Sequence, residues 1–246
     1  MSLPTHLVDA LGEAVPGATV AVEGDEAHHA VAVRRLRAGE RLVLTDGAGT
    51  RVLGEVAEAG KRRLEVTVLE VERLPEPRPA VTVVQALPKG DRGERAVEML
   101  TEIGCATIVP WAAERSVAVW RGERAAKGVA KWRATAREAA KQARRAWLPE
   151  VTELHSTDDV AALVADADLA VVLHEASERA LAWVELPADG TILVVVGPEG
   201  GLTDAEVDAL TAAGAVDVRL GTEVLRTSTA GVAAVAALLS RTDRWR

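Results

Sequence analysis

Apolar and polar residues alternate with a period of two through much of the first 73 positions. Residues 18–22 and 41–44 are short strand candidates, the second leading into Asp46-Gly47, a strong turn signal. Residues 50–56 and 63–71 continue the pattern, the latter through Leu64, Val66, Val68 and Val71. Residues 25–36 break it and predict one short helix. Short strands at this spacing predict a small barrel. Three prolines in Pro75-Glu76-Pro77-Arg78-Pro79 cannot continue a strand or a helix. Residues 74–79 are therefore expected to form a stiff linker between a β domain over 1–73 and a second domain over 80–246.

Beyond the linker the rhythm changes to strand, helix, strand. Apolar, β-branched runs at 81–87, 105–109 (stopped by Pro110), 169–173, 192–196 and 216–220 predict buried strands. Between them, 92–103 (ended by Gly104), 127–145 (ended before Pro149), 158–164, 204–213 and 227–239 predict helices. Such an alternation indicates an α/β domain with a mainly parallel sheet covered on both faces.

Composition sharpens this picture in a few places. The 246 residues include neither Phe nor Tyr, so Val, Ala, Leu and six Trp must fill the cores, and Trp alone remains for stacking on bases. The single Cys105 excludes a disulfide framework within the chain and a multi-cysteine zinc site, and its apolar surroundings predict an inert buried thiol. No signal-peptide pattern and no bilayer-length apolar run is visible, so a cytoplasmic location is expected.

The net charge of −8 argues against a protein that coats nucleic acid with its whole surface. The average hides an asymmetry. Residues 115–147 carry ten Lys or Arg against Glu123 and Glu138, whereas 148–246 carry six basic against seventeen acidic residues. Arg133, Arg137, Lys141 and Arg145 recur every four residues, a stripe along the predicted helix, while Trp132, Ala136, Ala139 and Ala143 fall on another face. Charge runs are usually solvated faces, but this imbalance favours contact with a polyanion. His28, His29, Arg34, Arg35 and Arg37 offer a second basic patch in the first domain.

Several familiar sites are absent. Gly47-Ala48-Gly49-Thr50-Arg51-Val52 lacks the third glycine of a dinucleotide fingerprint and sits in a hairpin, and no Walker sequence occurs. His174-Glu175 lacks a second zinc-binding histidine, and no metal is implied. The strongest local signal is Gly197-Pro198-Glu199-Gly200-Gly201 after the 192–196 strand, where glycines let backbone approach a ligand. It also reads as a tight strand-to-helix turn. Thr203 and Glu206 then form a capping-box pattern. Leu220-Gly221 with Leu225-Arg226-Thr227, and Leu173-His174-Glu175, follow two further buried strands. Three such loops at one sheet edge are where ligands of open α/β sheets sit.

These loops, with Leu225-Arg226-Thr227-Ser228-Thr229-Ala230, resemble the cofactor motifs of the SPOUT methyltransferases. Within that superfamily the chain resembles the RsmE-type enzymes, which methylate N3 of a uridine in 16S ribosomal RNA. Further matches are Gln85, Lys89, Glu102-Ile103-Gly104-Cys105, Pro110, Glu138-Ala139-Ala140-Lys141-Gln142, Arg145 and Pro149, with His29, Arg35, Gly39 and Asp46-Gly47 in a PUA-like barrel. Ser228 stands where the family commonly has Glu, and Met99 where it commonly has Lys.

The resemblance implies a trefoil-knotted sheet, a homodimer and S-adenosyl-L-methionine held by Leu173, His174, Gly197, Pro198, Glu199, Gly200, Gly201, Leu220, Gly221, Leu225, Arg226 and Thr227. It implies 16S rRNA or the small ribosomal subunit as partner, with no membrane. Catalysis is expected of Arg226, as a donor to a uridine carbonyl, and of Glu199, either orienting the cofactor or accepting the N3 proton. His29, Arg34, Arg35, Arg37, Lys89, Arg133, Arg137, Lys141 and Arg145 are expected to touch RNA. A SPOUT enzyme acting on another rRNA or tRNA position, or an inactive RNA-binding assembly factor, are the alternatives.

Overall fold

The computed structural model describes residues 3–245, which form two compact units. One comprises the chain up to Glu76 together with Ala140–Leu148; the other comprises Pro77–Ala139 and Pro149 onward.

In the first unit, strands β1 (Thr5–Leu7), β2 (Thr19–Glu23), β3 (Arg41–Thr45), β4 (Thr50–Ala59) and β5 (Arg63–Arg73) form a sheet in the order β1-β3-β4-β5-β2. All neighbours are antiparallel except β1 and β3. The alternation foreseen for these strands has its cause in the core: Leu42 and Leu44, Val52 and Val56, Leu64, Val66 and Val68 turn inward onto Ala27 and Ala30. Strand β1 carries too few apolar residues for its pattern to be seen in advance. The 25–36 segment is helical but not uniform: helix α1 (Gly24–His28) passes into a π-helical turn, His29–Val33, and Arg35 then takes a left-handed conformation at φ 57°. Segment Ala140–Leu148 packs into this unit, with Gly49 N–H donating to the Ala146 carbonyl and Trp147 Nε1 to the Leu74 carbonyl. Periodicity gives no sign of that return.

The second unit holds a wholly parallel six-stranded sheet. Its strands are β6 (Ala80–Ala86), β7 (Thr107–Trp111), β8 (Glu150–Val151), β9 (Leu169–Leu173), β10 (Thr191–Val196) and β11 (Val216–Val218), in the order β11-β9-β10-β6-β7-β8. Alternate residues of each strand serve opposite cores. On β10, Ile192, Val194 and Val196 pack with Val97, Leu100, Val235 and Leu238 from helices α2 (Arg92–Ile103) and α6 (Thr227–Leu239). Leu193 and Val195 pack with Val160, Val164 and Leu210 from α4 (Thr157–Asp166) and α5 (Asp204–Ala212). This double burial explains the near-continuous apolar strands.

Helix ends follow local chemistry. Gly104 ends α2 with φ 102°, a conformation that disfavours side chains. Thr203 and Glu206 form a complete capping box at α5, and Ser156 with Asp159 another at α4. Two expectations are corrected. Pro110 does not stop β7 but lies within it. Its carbonyl accepts from His155 N–H, so its missing donor faces the side where edge strand β8 spans only two residues. The long helix α3 runs over Glu123–Gln142, starting earlier than the charge pattern suggested and ending before Arg144, which adopts φ 53°. Arg145 therefore lies outside the helical stripe.

Candidate active site

Because all six strands run the same way, the loops leaving their carboxyl ends gather at one edge of the sheet. There the loops after β9, β10 and β11 surround a cleft of about 900 Å³. All twelve residues expected from sequence to contact a cofactor line it, as do Arg115, Glu175, Leu202, Asp204, Arg219, Thr222, Glu223, Val224 and Ala230. Arg115 could not be found by motif: it lies in the chain after β7 and reaches the cleft only through folding. Its guanidinium donates to the carbonyls of Gly200 and Leu202, at 3.4 and 3.0 Å.

The glycines here have distinct reasons. Gly201 has φ +71°, which side chains rarely adopt, and a Cβ on Gly200 would meet Arg115 Cβ and its carbonyl oxygen at 3.0 and 3.1 Å. Glu206, although buried, is satisfied by the backbone N–H groups of Thr203, which caps α5, and of Glu114, which ties the start of α5 to the segment after β7.

Glu199 faces two donors: Arg92 at 2.7 Å and the Lys89 backbone N–H at 3.2 Å. Burial pushes its carboxyl up, but the hydrogen bond from Arg92, backbone N–H groups and the nearby positive charge outweigh this and hold it below the ordinary glutamate value. A carboxylate stabilised as its anion is a weak proton acceptor, so the geometry favours the orienting role over proton removal. It ties the loop after β6 to the loop after β10.

Arg226 is exposed at the cleft and occupies the N-cap position of α6, followed by Thr227, whose hydroxyl donates to the Gly197 carbonyl at 2.8 Å. Ser228 is buried in the first turn of α6 and is not among the residues lining the cleft, and Met99 is half-buried on α2.

The expected RNA-facing residues divide by environment. In the first unit His29, Arg34, Arg35 and Arg37 are exposed around the π-helical turn. Lys141 is not: its ammonium is 2.6 Å from Glu26, with both side chains largely buried. In the second unit Lys89 and Arg137 are exposed, whereas Arg133 donates to Glu153 and the Val151 carbonyl at 2.9 Å each. Trp132, Ala136 and Ala139 are buried, as the facing pattern suggested, and Ala143 is exposed beyond the helix end. Among the described residues no cluster of side chains suits a metal ion, and no helix is long and apolar enough to cross a membrane.

A cleft beyond the carboxyl ends of a parallel α/β sheet is where ligands of this architecture bind. Residues 75–239 match the RNA methyltransferase domain and residues 22–69 the RNA methyltransferase PUA domain. Ribosomal RNA small subunit methyltransferase E of Mycobacterium bovis is 46% identical over 233 residues, covering 93% of this chain and 89% of that protein. The enzyme of that name from Bacillus subtilis is 33% identical over 236 residues, covering 93% and 92%. The crystal structure of ribosomal RNA small subunit methyltransferase E from Neisseria gonorrhoeae bound to S-adenosyl methionine matches with a TM-score of 0.84 at 27% identity, covering 97% of this chain and 98% of that one. The chain belongs to the ribosomal RNA small subunit methyltransferase E family.

Proposed function

We propose that the protein methylates small-subunit ribosomal RNA with S-adenosylmethionine, and that its target is N3 of a uridine in 16S rRNA. The observation that carries this is the convergence of the 173–175, 197–201 and 220–227 loops on one cleft, in a chain whose relatives are named for small-subunit rRNA methylation. The Neisseria neighbour's bound S-adenosyl methionine supports the cofactor.

The cleft suits that cofactor. Its volume lies within the range of about 300–1,000 Å³ common for small-molecule sites. Leu173, Leu220 and Ala230 offer apolar surface for a base, glycine backbone admits close approach, and Glu175, Asp204 and Glu223 offer negative charge to a cationic group. S-adenosylmethionine, when bound, supplies an electrophilic methyl group whose departure from sulfur needs little acid assistance.

The protein's remaining task concerns the acceptor. Uridine N3 carries a proton and becomes an effective nucleophile only on losing it to solvent water, when negative charge spreads to the flanking carbonyl oxygens. Arg226 donates to one of these oxygens, and the positive end of the α6 dipole adds favourable potential. Glu199, kept ionised by Arg92, holds the loop in position. The exposed Lys89 and Arg137, and separately His29, Arg34, Arg35 and Arg37, take RNA phosphates. Lys141, Arg133 and Arg145 have smaller roles in this account, since the first two are engaged by carboxylates and the third lies outside the helix. The enzyme works as a cytoplasmic homodimer with the family's knotted sheet, and its domains divide at the proline-rich 74–79 segment.

Replacing Arg226 with Ala is expected to lower kcat at least 100-fold, a loss of about 3 kcal/mol of transition-state stabilisation, while S-adenosylmethionine affinity changes only a few-fold. Calorimetry and single-turnover methyl transfer separate the two quantities. Unchanged turnover removes Arg226 from the mechanism.

A further inference from the structure

Gln85 has no solvent exposure, and in its central strand every other fully buried residue is apolar. The register sets it beside Val196 on β10 and Pro110 on β7. Burying an amide here is unfavourable unless its atoms are paired. Its Nε2 donates to the Ala86 carbonyl at 3.1 Å and to Thr227 Oγ1 at 2.9 Å. The Thr227 hydroxyl, having accepted that bond, gives its single proton to the Gly197 carbonyl at 2.8 Å. This direction is the only one the atoms allow, because a backbone carbonyl accepts and never donates. Gln85 Oε1 is buried without a protein partner, so the amide is not fully satisfied. Valine, as at positions 83 and 84, would fill such a strand position without that cost.

The chain of bonds links three segments: the end of β6, the start of the 197–201 loop and the first turn of α6. Gly197 and Thr227 both line the cleft, and Thr227 directly follows Arg226. Gln85 itself stands one layer behind the cleft and touches neither substrate nor cofactor in the proposed reaction.

We infer that Gln85 is a positioning residue, which acts through Thr227 to hold the Gly197 loop and the Arg226 end of α6 at the separation methyl transfer requires. The inference rests on the function proposed above. Misplacement of reacting groups by about 1 Å can cost on the order of 100-fold in rate, so a buried amide of this kind acts on turnover as well as folding.

The test uses the full-length protein with Q85L, T227V, T227S and the double variant Q85L/T227V. Thermal midpoints, S-adenosylmethionine affinity by calorimetry, and kcat and KM on small ribosomal subunits are measured for each. Folded Q85L and T227V are expected to lose at least tenfold in kcat or in cofactor affinity. T227S, which keeps the hydroxyl, is expected to recover most of what T227V loses. The double variant is expected to be no worse than the poorer single one, since both cut the same chain. A folded Q85L within twofold of the parent in both quantities overturns the inference, as do losses that multiply in the double variant. If Q85L does not fold, T227V against T227S carries the same decision. If the parent itself transfers no methyl group, the proposed function fails. Gln85 is then judged by hydrogen exchange of the 197–202 amides in the ligand-free protein. Faster exchange in T227V and Q85L but not T227S supports the link, and equal exchange overturns it.

Discussion

Glu26 sits 2.6 Å from the Lys141 ammonium and 3.5 Å from His6 Nδ1, in a part of the first unit where His6 is almost wholly buried. Burial pushes its carboxyl up, but the Lys141 hydrogen bond and the favourable polar contacts of Lys141 and His6 reverse this and bring it to about 2. A carboxyl lowered on folding stabilises the native state above its ordinary value, and that contribution is lost as pH falls through the folded one. Glu26→Gln is therefore expected to destabilise the protein at neutral pH by on the order of 3 kcal/mol, because it leaves a buried ammonium short of its counter-charge. Urea unfolding across pH checks the sign: the gap between parent and variant should shrink between about pH 5 and pH 2. A constant gap would show that Glu26 acts by packing alone. The same pair explains a limit of the sequence. Lys141 belongs to a regular basic stripe, but its partner lies 115 positions away and no local pattern announces it. Glu199 is similar: its loop is plain in the sequence, whereas Arg92 and the Lys89 N–H, which set its chemistry, come from another strand–helix connection.

Elements were legible where one period dominated and obscure where tertiary pairing overrode it. Strand β10 and helix α6 stand out because both of their buried faces are written in apolar residues. Pro110 was misleading because a missing N–H matters only if a neighbour needs it, and the outermost strand scarcely reaches that far. The π-helical turn at His29–Val33 has no composition signal of its own. Helix α6 deserves a direct test, since it carries Arg226 into the cleft. A Cβ at Gly231 would stand 3.3 Å from both Leu100 Cδ2 and Val196 Cγ2, so α6 packs against α2 and the sheet with little room. Gly231→Leu is expected to cost about 2 kcal/mol through overpacking and to weaken cofactor binding as the helix shifts. Thermal unfolding and calorimetry read these two effects, and a variant as stable as the parent would contradict the close approach.

At the scale of the whole molecule, an acidic chain must bind a polyanion through a minority of its surface. Among the described residues expected to take phosphates, the exposed Lys89, Arg137, Arg34, Arg35 and Arg37 make no ion pair with a carboxylate. Five phosphate contacts imply a log–log salt slope of about −4 for binding to small-subunit RNA. A slope flatter than about −1 would count against both patches, and replacing the three arginines of the first unit should flatten it stepwise. The position of the cleft followed from the topology once parallel strands were recognised, but the identity of the methylated atom does not follow from the shape of the cleft. The most direct measurement is transfer of labelled methyl from S-adenosylmethionine to small ribosomal subunits that lack native modification, followed by nucleoside analysis. Label in 3-methyluridine is the result this account requires. Label in another nucleoside would contradict the target, and cofactor binding without any transfer would contradict the enzymatic reading itself.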